Sequence, residues 1–125
     1  MLIRYTAGAT LPLKLAEYRE AIAAFDDNRR RCFYETLAHN LTVCARTIWS
    51  DEQLSDAEKV DQMKWLNEIQ HRVTGKVGAS EPWPDREFFD GVLQARTDEC
   101  PPLRGHVGWA VKQSYEYASA ERPAV

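Results

Sequence analysis

Residues 55–75 read SDAEKVDQMKWLNEIQHRVTG. Ser55 and Glu58 stand three apart at its start, the spacing at which each side chain satisfies the other's exposed backbone donor. Behind them Met63, Leu66, Ile69 and Val73 recur at intervals of three and four, which stacks them on one side of a helix. Gly75 follows as the expected left-handed terminator. The stretch therefore specifies a helix to Thr74 from cap to stop, with one side in need of apolar partners.

Those partners must come from the flanking segments, and these are helical too. Glycine and proline interrupt the chain at Gly8 to Pro12, Gly75 to Pro84, Pro101 to Gly108, and Pro123. Between these points nothing alternates like a strand for long enough to demand a sheet. Only Leu2 to Thr6 offers a short extended arm. A first helix is expected from near Pro12, with Leu15, Tyr18, Ile22 and Phe25 on one side. Asp26-Asp27-Asn28 ends it, and Asn28 is the expected cap of a second helix to about Trp49. The alternative is one unbroken helix over 12–49.

The second helix buries Tyr34, Leu37, Leu41, Cys44, Ala45 and Ile48 by the same counting. A fourth begins at Pro84-Asp85-Arg86-Glu87 and carries Phe88, Phe89, Val92, Leu93 and Arg96, with Gly91 read as a point of close helix contact. The last runs from about Arg104 to Ala120, with Val107, Ala110, Val111, Ser114, Tyr117 and Ala118 inward. The fold class is all-α: a compact bundle of four or five amphipathic helices in a single domain over residues 1–125.

The chain has 125 residues, 16 of them Lys or Arg and 19 Asp or Glu, a balance that argues against nucleic acid or an anionic membrane as partner. No apolar run approaches the roughly 20 residues that span a bilayer, and the start lacks a secretory pattern, so a cytoplasmic location is expected. Cys32, Cys44 and Cys100 are odd in number and without a CxxC pair, which reads as reduced thiols. Cys32 and Cys44 read as small buried hydrophobes. Cys100 is expected in a loop, held protonated by its acidic neighbours.

Glu68 and His71 have the Glu-x-x-His spacing of di-iron helix bundles, and Glu35 with His39 is the closest approach to a second half-site. Direction argues against a metal. At about 100° per residue, Glu68 and His71 lie roughly 150° from the centre of their helix's apolar side, and Glu35 and His39 also point away from the core. No cofactor is expected. For nucleophilic catalysis there is no G-x-S-x-G elbow, phosphate-binding glycine loop or zinc spacing, and no catalytic residue is assigned. His106 reads as a capping or surface residue.

Three features point to a binding role instead. Arg29, Arg30 and Arg31 form the most basic point of the chain, unfavourable at a helix start unless paired with Asp26 and Asp27 or held for a partner. Trp65 falls about 90° from the middle of its apolar side, beside Glu68 and Arg72. Trp109 falls nearly opposite the inward stripe of the last helix, beside Lys112. Each resembles an aromatic anchor within a charged rim. The expected function is a small helical module that binds another protein, or a second copy of itself as a homodimer. The rival is an enzyme or ligand carrier with a site between helices, built on Tyr18, Tyr34, Tyr117 and a histidine.

Overall fold

The computed structural model describes residues 15–78 and 85–120, all of it helices and their connecting turns. The extended arm at Leu2 to Thr6, the start at Pro12 and the turn from 79 to 84 lie outside the described residues. In chain order the elements are α1 (Leu15–Ala23), α2 (Asp27–Ser50), α3 (Asp56–Gly78), α4 (Asp85–Phe88), a π-helical segment (Phe89–Gln94), α5 (Ala95–Glu99) and α6 (Leu103–Ser119). The stretch from α4 to α5 runs without a break, so five helical rods make up the bundle. No helix among the described residues is long and apolar enough to cross a membrane.

α2 is the central rod, packing along α6 on one side and α3 on the other. Asn40 Nδ2 donates to Ser114 Oγ at 3.0 Å, and the Cys44 thiol to the His106 carbonyl at 3.4 Å, so α2 and α6 run antiparallel. Every residue expected to face inward from α2 is buried except Ala45, which is half-buried. Phe33, absent from that expectation, is fully buried and completes an aromatic cluster. Its ring centroid lies 5.1 Å from that of Tyr34 and 6.2 Å from that of Phe89. Phe88 meets both Tyr34 and Phe89 edge to face, the geometry that aromatic quadrupoles favour.

The break between α1 and α2 is real, but Asp26 caps α2 in place of Asn28. Its carboxylate accepts from the Arg29 backbone N–H at 2.8 Å. A charged oxygen one residue before the first turn meets the free donors and the positive helix end together. The capping box of α3 forms as its spacing requires: Ser55 N donates to Glu58 Oε1 at 3.0 Å and Glu58 N to Ser55 Oγ at 3.1 Å. These bonds hold the Glu58 carboxyl below its usual value.

Gly75 does not stop α3, which continues to Gly78. The extra turn sets Lys76 against α2 and α4, where it lies over the Tyr34 ring and near Asp85. A Cβ built on Gly75 or on Gly91 would meet nothing within 4 Å, so Gly91 mediates no close helix contact either. Both glycines leave the helix with needless backbone freedom. Gly75→Ala is expected to raise stability by about 1 kcal/mol, read as an increase in the urea midpoint with an unchanged slope.

The π-helical segment answers a packing demand. Phe88, Phe89, Val92 and Leu93 are all buried, yet neighbours on an α-helix diverge by about 100°. The wider turn of a π-helix brings both doublets onto one side. Thr97 closes the segment, its hydroxyl donating to the Leu93 carbonyl at 2.7 Å.

Candidate functional site

An open groove of about 670 Å³ lies between α2 and α6. Cys32, Glu35, Thr36, His39 and Asn40 line it from α2, and Gln113 and Tyr117 from α6. The α2 residues recur at three and four, and their side lies roughly 140° around the helix from the one carrying Leu37, Leu41 and Ile48. The Asn40–Ser114 hydrogen bond forms the floor, with Ser114 in turn donating to the Ala110 carbonyl at 2.7 Å. A smaller cavity, lined by Asn28, Arg29, Ala118 and Ala120, adjoins through the shared Cys32. The groove thus continues towards the start of α2.

Tyr117 is the wall's exposed aromatic, at 54%. The expectation that it faces inward is corrected: Ala118 occupies the core position, and Tyr117 is turned about 100° from it. Trp109 stands two turns before Tyr117 on the same side of α6, so it extends that wall. It is half-buried and packs against the core. Lys112 is exposed beside it.

Trp65 is half-buried on the far side of α2, at the α3–α5 contact. The Arg96 guanidinium lies over its ring at 5.9 Å and the Lys64 ammonium at 4.9 Å. Glu68 pairs with Arg96 at 2.7 Å, which draws it to the helix border, while His71 and Arg72 are exposed. Glu35 and His39 lie in the other groove. No group of three or more His, Cys, Asp or Glu side chains among the described residues is placed to hold a metal ion.

The three arginines occupy the first turns of α2 and divide in role. Arg29 and Arg31 are exposed. Arg30 is turned inward, pairing with Asp27 at 3.4 Å and Asp85 at 3.5 Å and donating to the Ala23 and Phe25 carbonyls, each at 3.1 Å. Asp85 also accepts from Tyr34 Oη at 2.5 Å and lies 3.9 Å from Lys76 Nζ. The Lys76 side chain is 1% exposed, and burial lowers its ammonium to about 8. Burial, with the bond to Asp85, raises the Tyr34 phenol.

Perturbed titration marks catalytic sites and structural ion clusters alike. Here the groups face one another: the Lys76 ammonium lies 4.9 Å over the Tyr34 ring, and the Tyr34 hydroxyl is already given to Asp85. Their placement ties the end of α3 and the start of α4 to α2. In the groove, the lining includes one thiol, Cys32, and one imidazole, His39. Cys32 and His39 are seven residues apart on one helix, about 10 Å along its axis, beyond the reach of a thiol–imidazole hydrogen bond. Burial pushes the Cys44 thiol up to about 12, and burial followed by Asp61 raises that of Cys100. Cys100 lies in the expected loop position, in the bend between α5 and α6, and is buried there.

Trp49, at 52% exposure, is the most open tryptophan among the described residues, and it is not one of the expected anchors. Its signal was available, since it lies roughly 110° from the centre of α2's apolar side. No family model, curated protein or solved structure matches this chain.

Proposed function

We propose that the protein is a helical binding module that takes a segment of another protein in the α2–α6 groove. The observation that carries this reading is the groove's form. It is open along two long helices, its lining mixes an exposed aromatic with amide, hydroxyl, carboxylate and imidazole groups, and it leads on towards Arg29. Such a lining matches the polar backbone and mixed side chains of a peptide better than a small apolar ligand, which favours an enclosed cavity. Trp109, at the upper end of the same wall, acts as a flanking anchor. The Trp65 surface with Glu68 and Arg72 lies outside this contact.

Affinity capture from native lysate tests the reading with the wild type, Tyr117→Ala, and Gln113→Arg, which fills the groove. One stoichiometric protein is expected with the wild type and at least about tenfold less with either variant, a loss of about 1.4 kcal/mol or more in binding. Arg72→Ala serves as the control outside the groove. Equal capture by all four proteins removes the groove from the interface. Recovery of a bound metabolite in place of a protein supports the ligand-carrier rival.

A further inference from the structure

Among the described residues, α1 is held to the bundle more lightly than any other long element. It is nine residues long and buries Leu15 and Ile22, against six buried side chains from α2 and nine buried residues from α6. Its other holds are only partly buried. Arg19 Nη1 donates to both carboxylate oxygens of Asp90 at 2.9 Å, and Tyr18 and Phe25 flank the Tyr115 ring at centroid distances of 5.4 and 5.6 Å. α1 packs on α6, α4 and the π-helical segment. Its path into α2 is a short turn at 24–26, where Arg30 grips the Ala23 and Phe25 carbonyls.

We propose that α1 is a hinged strap, which leaves the flank of α6 as a unit while α2, α3 and α6 stay folded, with Arg30 fixing the hinge. A helix this short does not persist alone in water, so the strap unwinds as it leaves. Elements with few fully buried side chains open below the global unfolding limit. Opening uncovers the Tyr115 ring and the sites that receive Leu15 and Ile22. Tyr115 lies about 180° around α6 from the wall formed by Gln113 and Tyr117, so the groove keeps its shape. The molecule thereby gains a second apolar surface that is closed at rest.

Native-state hydrogen exchange on the full chain reads this directly. The α1 amides from Arg19 to Ala23 are expected to exchange about 100-fold faster than those of Leu41, Ile69 and Val111. Leu66→Ala, in the fully buried part of α3, should speed the α2, α3 and α6 amides by about 30-fold or more and leave the α1 rates unchanged. If that variant does not fold, Ile69→Val gives the same contrast at about two- to tenfold. Equal protection across all helices overturns the proposal. So does an α1 that exchanges faster but is accelerated along with the core by either substitution, since its opening would then require the whole fold.

Discussion

Asp85→Ala is expected to destabilise the protein by about 3–5 kcal/mol, measured as a fall in the urea midpoint, because it removes a carboxylate that faces Arg30, Lys76 and Tyr34 together. The lysine has nowhere to go: its side chain is 1% exposed and sits over the Tyr34 ring. Without Asp85 two cations remain close in a poorly solvated site, and the Tyr34 hydroxyl loses its acceptor. Lys76→Met should cost far less, since Asp85 keeps Arg30 and Tyr34 as partners and a buried ammonium is exchanged for an apolar chain of similar length. The double variant should recover part of the Asp85→Ala loss. If the two single changes cost the same, the cluster is not organised around the carboxylate.

The same cluster sets a pH dependence on the alkaline side. The Lys76 ammonium titrates near 8 in the folded chain and at 10.5 ordinarily. Between these values the unfolded chain alone holds the proton, so stability is lower below pH 8 and rises as pH increases through this window. The raised Tyr34 phenol acts in the opposite sense above pH 10, where only the unfolded chain loses its proton. Stability measured from pH 7 to 9.5 should therefore climb in the wild type and stay flatter in Lys76→Met.

Local patterns carried most of the fold, and they failed where tertiary packing overruled a local rule. The Ser55–Glu58 box and the Met63, Leu66, Ile69, Val73 stripe were legible because cap chemistry and helical period act within a few residues. Gly75 misled because α3 takes an additional turn that sets Lys76 beside Asp85 and Tyr34, contacts that exist only once α2 and α4 are in place. The π-helical turn was likewise hidden: the Phe88-Phe89 and Val92-Leu93 doublets look like ordinary core residues until their common side is seen. The groove was harder still, since it needs the relative placement of two helices far apart in the chain. Tyr117, expected in the core, and His39, exposed as its direction requires, line the same concavity. Trp109 was singled out from direction alone, and it stands at the edge of that wall.

His106 is the residue whose role changed most, and it carries the other large prediction. Read beside Pro101 and Gly105 as a surface or capping group, it is 2% exposed in the first turns of α6, with its carbonyl accepting from Cys44. Burial pushes its imidazole from 6.5 down to about 4. The unfolded chain thus takes up a proton near pH 6.5 that the native chain refuses until about pH 4. The stability this contributes is complete above pH 6.5 and declines as pH falls through the window. The expected loss is about 2 kcal/mol by pH 5 and about 3 kcal/mol by pH 4. Urea denaturation at pH 7 and pH 5 should show the drop in the wild type, with a much smaller one in His106→Gln, which cannot take up the proton. An equal drop in both proteins would place the acid sensitivity in the carboxylates and leave His106 neutral at no cost. The core would then hold its imidazole by packing alone.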